Sequence, residues 1–257
     1  MALHLCGFLE DQDAADASVN VAALIDQSIS VSGDNLTVPS LNHLVCVAAG
    51  VGSGGDETAL LDAPSLRQLT RQWVTPINGG NDGDVVPANP ICYQDLRFTP
   101  RRLVTGENLQ AVIDSNTSAA ASQWVLAWLS DAPIQPVTTG EQFTVRYSGT
   151  TTVTAQAWST VTITFADELP YGNYAIVGLS GTGATAVATR VVAPAAAWRA
   201  GVLAGAAAEQ AGGYNIFRNG KMGIMGEFNT NQPPYLEYLC NAADSAQSGV
   251  LDLIKLS

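Results

Sequence analysis

Two stretches decide the fold: "LVCVAAGVGSGGDE", Leu44 to Glu57, and "NYAIVGLSGTGATAVATRVV", Asn173 to Val192. The first spells G-x-G-x-x-G at Gly50, Gly52 and Gly55, behind an apolar run and ahead of Asp56 and Glu57. A dinucleotide-binding loop needs that spelling between a strand and a helix whose N-terminus faces the phosphates. Here "DETALLDAPS" follows, reaches Pro64 after eight residues and shows no 3.6-residue period. The second stretch carries Gly181 and Gly183 at the equivalent place and continues as an alternating strand. Both glycine clusters are therefore expected to be matching hairpin turns, in which glycine supplies positive φ.

The equivalence extends beyond the glycines. Leu44 and Tyr174 are 130 residues apart, and the same shift carries Pro64 onto Pro194 and Phe98 onto Phe228. After a three-residue change of register, Leu109 in "NLQAVIDSNTSAAASQWVLAWLS" falls on Leu236 in "YLEYLCNAADSAQSGVLDLIKLS". Both of those segments read strand, polar turn, strand, and both end in Leu-Ser, at Ser130 and Ser257. Several anchors in one order indicate a tandem duplication. Its halves are 1–135 and 136–257.

Between the anchors the periodicity is that of strands. "QFTVRYSG", "TVTAQAWSTVTITF", "NYAIVGL", "ATAVATRVV", "QWVLAWLSD" and "GVLDLIKLS" all read so. "YNIFRNGKMGIMGEF" offers Asn219-Gly220 as a hairpin turn between two strand-like runs. "APSLRQLTRQW", Ala63 to Trp73, is the best amphipathic helix, with Pro64 near its start. "AADASVNVAALID", Ala14 to Asp26, is a weaker helix candidate. The fold class expected is all-β: two tandem eight-stranded antiparallel units with one or two short helices in loops.

Composition narrows the function. Of 257 residues, 47% are apolar, enough for a sizeable core, and only 13% are charged. The net charge is −12 with two lysines, Lys221 and Lys255, so no basic stripe or tail suggests nucleic-acid binding. Arg97, Arg101 and Arg102 are the densest basic cluster and read as strand-edge and loop charges. Cys6, Cys46, Cys92 and Cys240 form no C-x-x-C pair, and only His4 and His43 could join them. Buried free thiols in a reducing compartment are expected rather than zinc. "MALHLCGFLEDQDAAD" lacks the basic start of a signal peptide, so the sequons at Asn35 and Asn116 read as chance. "VVAPAAAWRAGVLAGAAA", Val191 to Ala208, is interrupted by Pro194 and Arg199 and makes a poor membrane span.

No constellation points to catalysis. A Ser-His-Asp triad has only His4 or His43 to draw on, and there is no G-x-S-x-G. Glu107, Asp114, Asp131 and Glu141 could in principle supply a glycosidase pair, but their Gly and Pro neighbours mark turn and surface acids. Trp124 and Trp128 share one face of a strand, which suits a core; exposed, they would mark a sugar platform or an interface. Trp158 and Trp198 carry the same ambiguity. "NGGNDGDVV", Asn78 to Val86, holds oxygen donors without EF-hand spacing and reads as a surface loop. No catalytic, cofactor-binding or metal-binding residue is assigned.

The duplication, with phrases such as "PYGNYAIVGL" and "RVVAPAAAWRAG", resembles the double jelly-roll major capsid proteins of tailless icosahedral viruses, particularly membrane-containing bacteriophages. That resemblance implies two jelly rolls per chain and three chains per pseudo-hexagonal block tiling an icosahedral shell. The partners it implies are further copies of the chain, other capsid proteins such as pentons and minor proteins, and an underlying lipid membrane. It implies a virion location after synthesis in the host cytoplasm, no direct contact with nucleic acid, no enzymatic activity and no cofactor. Met1 to Phe8 would be a short segment reaching the membrane or a neighbour. Low charge with many Ala, Val, Thr and Gly independently suits flat surfaces that pack against copies. A carbohydrate- or ligand-binding β-sandwich is the alternative.

Overall fold

A computed structural model of the chain describes residues 1–12, 17–51, 56–70, 73–79, 93–115, 121–194, 196–206 and 215–256. The chain folds as two compact units: Leu5–Pro133, and Ile134–Ser257 together with Met1–His4.

The first unit is built from β1 (Leu3–Gln12, whose Leu3 and His4 group with the second unit), β2 (Ala17–Val21), β3 (Val31–Ser32), β4 (Asn35–Thr37), β5 (His43–Val51) and β6 (Asp56–Asp62). Helix α1 (Pro64–Thr70) follows, then β7 (Trp73–Gly79), β8 (Tyr93–Asp95), β9 (Arg101–Arg102), β10 (Asn108–Ser115) and β11 (Ala121–Ser130). On one face β1 pairs with β11, β11 with β5, and β5 with both β8 and β9. On the other β2 pairs with β10, β10 with β6, and β6 with β7. Counting β8 and β9 as one interrupted strand and setting the small β3–β4 hairpin aside, the faces read 1-8-3-6 and 2-7-4-5. That is the strand order of a jelly roll.

The second unit repeats the order. It contains β12 (Gln142–Gly149), β13 (Ser159–Val161), β14 (Ile163–Phe165), β15 (Asn173–Thr182), β16 (Ala186–Val192), β17 (Gly201–Gly205), β18 (Gly226–Asn229), β19 (Tyr235–Cys240) and β20 (Gln247–Lys255). Its faces are β12-β20-β15-β18 and β13-β19-β16-β17. The chain is thus all-β, with two jelly rolls in tandem. The duplicated anchors fall on equivalent elements: Leu44 and Tyr174 on the third strand, Leu109 and Leu236 on the seventh, Pro64 and Pro194 in the connection following each fourth strand.

Each unit adds one parallel strand pair to its antiparallel pairing, and the second also has an isolated parallel bridge between Ala155 and Cys240. Gly50 and Val51 pair with Asn78 and Gly79, and Gly181 and Thr182 pair with Ala204 and Gly205. In each, the end of the third strand meets the end of the fifth and joins the two faces. Each third strand also bulges against the eighth. The leftover residue is Val45 in one unit and Val177 in the other. Each bulged valine offers its carbonyl to the segment beside it, Val45 to the Leu96 N–H (2.9 Å) and Val177 to the Gly220 N–H (2.6 Å). A bulge re-aims backbone groups out of the ladder, which accounts for the shared contact.

Helix α1 forms within the expected Ala63–Trp73 stretch, with Leu66 buried, but it spans only Pro64–Thr70 and Trp73 begins strand β7 instead. Several local expectations need correction. Of the Ala14–Asp26 stretch, 14–16 lie outside the described residues and the rest is not a helix: Ala17–Val21 is strand β2, whose alternating Val19 and Val21 lie opposite Ile113 and Ala111 of β10. Residues 52–55 lie outside the described residues, but β5 and β6 do not pair, and neither do β15 and β16. The glycine clusters therefore join strands on different faces rather than forming hairpins. Gly181 and Gly183 do not adopt positive φ. They are small because a Cβ would lie 2.5 Å from the Thr189 methyl and 2.5 Å from the Asp244 carboxylate respectively.

Asn219-Gly220 does make the expected turn, with both φ positive (56° and 73°) and Lys221 N–H donating to the Arg218 carbonyl. It follows a 3-10 turn at Asn215–Phe217, not a strand, so there is no hairpin. In "TVTAQAWSTVTITF" only Ser159–Val161 and Ile163–Phe165 form strands; before them Val153 and Ala155 make isolated bridges and Gln156 at φ 56° breaks the run. Met1–Phe8 is not a reaching segment. From Leu3 on it is strand β1, with Leu3, Leu5 and Phe8 buried.

Candidate functional site

Gly50, the one glycine of the motif among the described residues, has a packing role. Trp124 on β11 lies directly across from Gly50 on β5, and a Cβ at Gly50 would lie 2.3 Å from the indole. The first glycine is required because the indole crosses the strand there. Trp124 and Trp128 are both buried, so they fill the core and present no sugar platform.

The four candidate carboxylates do not form a described pair. Glu107 accepts the Ser65 N–H at the start of α1 (3.0 Å) and the Val104 N–H (2.7 Å), together with the Ser65 hydroxyl. It anchors a helix end to a turn, where negative charge meets the positive end of the helix. Asp131 and Glu141 are exposed, on different units, and the Asp114 side chain lies outside the described residues. Asp114 itself sits on β10. The Asn78–Val86 loop begins at the end of β7, and 80–92, with Cys92, lie outside the described residues. Among the described residues no group of three or more His, Cys, Asp or Glu is placed to hold a metal ion. No described helix is long and apolar enough to cross a membrane.

Arg97, from the basic cluster, grips Asp95 with two donors (2.8 and 2.7 Å) and lies over Phe98, 5.3 Å from the ring centroid. Burial alone would raise the Asp95 carboxyl, but Arg97 holds it below the usual range. Arg101 and Arg102 form the short strand beside His43 and Leu44. Cys6, Cys46 and Cys240 are buried thiols outside any disulfide, and Cys6 donates to the Ala127 carbonyl.

The second unit holds three buried polar groups that its sequence disguised. Asp252 on β20 is 1% exposed and accepts four hydrogen bonds. Arg218 supplies two at 2.6 Å, the Thr144 hydroxyl one at 2.7 Å and the Asn219 N–H one at 2.9 Å. Burial opposes ionisation, yet these donors keep the Asp252 carboxyl below its ordinary range. The result pins the 215–220 segment to β12 and β20.

Glu237 on β19 is held between Arg190 (2.5 Å) and Arg199, and the Trp158 ring lies 4.0 Å from the Arg190 guanidinium. Tyr147 on β12 and Tyr238 on β19 join the two faces through hydroxyls 2.8 Å apart. Tyr147 also contacts the Ser180 carbonyl and Tyr238 the Ser248 carbonyl. Desolvation pushes both phenols up. The signal for these groups was visible only as charges inside apolar strands, Arg190 in "ATRVV", Glu237 in "YLEYLC" and Asp252 in "VLDLI".

Each of these side chains ties one strand or loop to another, and their chemistry is that of structure. The second unit also has an open apolar cleft of about 230 Å³, bounded by Met1, Leu3, Trp198, Ile224 and Met225. Apolar side chains exposed elsewhere include Ile25 and Phe98 in the first unit and Tyr171 and Leu256 in the second.

No family model and no curated protein matches the chain. Among solved structures it is similar to the major capsid protein P2 from bacteriophage PM2, at 10% identity, over 99% of this chain and 98% of that one. The TM-score is 0.25, too low to equate the two folds, so the topology rests on the strand pairings above.

Proposed function

We propose that the chain is a structural shell subunit, a viral major capsid protein that assembles as trimers into an icosahedral coat. The observation that carries this reading is the repetition of one jelly-roll strand order, with its bulge and its parallel closure, in two consecutive units. A trimer of a doubled unit presents six similar bodies and can fill six-fold positions in a lattice. On this reading the chain is two tandem domains, 1–135 and 136–257, copied one from the other. The partners are other copies of the chain, penton and minor capsid proteins, and a lipid membrane beneath the shell, with no direct nucleic-acid contact. The subunit is made in host cytoplasm and resides in the virion.

The buried tryptophans and the structural use of Glu107 support assembly over sugar binding or hydrolysis. Purified protein is expected to sediment as a trimer and to form hexagonal blocks or closed shells in negative-stain micrographs. A chain that stays monomeric at every concentration and ionic strength, with no particles, would overturn the reading.

A further inference from the structure

We propose that Met1–His4 form a latch on the second unit which acid releases through His4. These four residues belong to the same compact unit as Ile134–Ser257. His4 is fully buried, its Nδ1 accepts the Arg199 N–H at 3.1 Å, and its ring stands edge-on to Trp198 with centroids 5.7 Å apart. At the other end of the segment the Met1 sulfur accepts the Gln135 N–H (3.5 Å). The Met1 methyl fills the space a side chain at Gly223 would take, since a Cβ there would lie 2.2 Å from it. The segment is thus held at both ends, and it forms one wall of the apolar cleft.

A ring nitrogen that faces an N–H must present its lone pair, so the latched imidazole is neutral. Protonation sets two N–H groups against each other and places a second cation beside Arg199. The charged groups on the surrounding elements do not offset that cost. On β11, the strand paired with β1, no residue is charged, and Asp131 follows its end. Arg199 and, on β16, Arg190 are both positive, and Glu237 of β19 is already held between them. Glu227 lies on β18, beyond the cleft residues Met225 and Gly226. The sign follows. The folded state binds the neutral form, so the latch is complete above the ordinary histidine value of about 6.5 and is lost as pH falls below it. Release removes the Met1–Leu3 wall and uncovers Trp198, Ile224 and Met225.

Only one other histidine, His43, can confuse the measurement. The test is amide hydrogen exchange on the full chain with an NMR titration of both imidazoles, between pH 7.5 and 4.5. The protection factor of the Arg199 N–H is expected to fall at least tenfold, in step with titration of His4, in the native sequence and equally in His43→Gln. In His4→Gln, whose side-chain oxygen accepts the same bond without titrating, it is expected to stay flat. If Arg199 stays protected while His4 titrates, or if its loss of protection follows His43, the latch is refuted. Should His4→Gln not fold, the His43→Gln titration alone decides between these outcomes.

Discussion

The two units reach the same strand order with different cores, and the difference separates what specifies the topology from what fills it. In the first unit the eighth strand contributes two buried indoles, Trp124 against Gly50 and Trp128 opposite Cys46. In the second, the residues opposite the matching stretch of β15 are Val250 and Leu253, and the bulk comes from elsewhere. Tyr174 and Phe228 stack with centroids 5.6 Å apart, Phe165 stacks on Phe228, and the Tyr147–Tyr238 pair joins the faces. Shared by both are the bulged valine, the parallel closure and the cover over the first strand. That cover is β14 on β12 in one unit, and the Ala22–Leu24 hydrogen bonds with Gly7 and Leu9 in the other. Pattern and register define the fold, and core composition is free to drift so long as volume is kept.

The largest break in the comparison should come from Trp128→Ala. Truncating a buried tryptophan costs about 3–5 kcal/mol. The effect is expected in the first unit, so calorimetry should show one transition moving down and a second left in place. A single transition shifting as a whole would mean that the units unfold as one body. Next in size is Asp252→Ala, which leaves Arg218 and the Asn219 N–H without their acceptor. Losing one partner of a buried pair costs about 3 kcal/mol or more, here in the second unit. Tyr147→Phe removes one hydroxyl of the face-joining pair and should cost about 1–2 kcal/mol, again in the second unit alone. Chemical denaturation read by unit-specific tryptophans distinguishes these shifts.

Acid sharpens the contrast. Because the Asp252 carboxyl is depressed in the folded state, the stability it contributes is complete above about pH 4, the ordinary aspartate value, and is lost as pH falls through its lower folded value. Asp95 behaves similarly in the first unit but stands more exposed, so its bond with Arg97 is screened and worth less. The second unit is therefore expected to lose more stability between pH 4 and 2, measured by thermal melts at each pH. Asp252→Asn should flatten that dependence. An unchanged slope in the variant would remove Asp252 as its source.

The parts legible in the sequence were those with local periodicity. The 130-residue shift placed the third strands of both units, a three-residue change of register placed the seventh, and Pro64 marked α1. Asn219-Gly220 encoded its turn correctly, because positive φ at both positions is a property of the two residues themselves. What lay on either side of it depended on Asp252, 33 residues away, and on the bulge at Val177. Likewise Val19 and Val21 become a strand because β10 is there to pair with them. The buried ion pairs were illegible for the same reason. Nothing in "YLEYLC" says that Arg190 and Arg199 will meet Glu237.

The smallest expected signal is also the most discriminating, since it reports which unit opens first. Burial, with Asp244 nearby, pushes the Cys240 thiol up to about 12, so at pH 8 almost none of it is thiolate, the reactive form. Cys6 and Cys46 are buried in the first unit. In a Cys92→Ser background the native protein should therefore react negligibly with an aromatic disulfide reagent over hours. Trp128→Ala should then label Cys6 and Cys46 ahead of Cys240, and Asp252→Ala should reverse the order, as read by peptide mass mapping. Identical order in both variants would show that opening passes through one shared step, and that the two jelly rolls, alike in topology, are also coupled in stability.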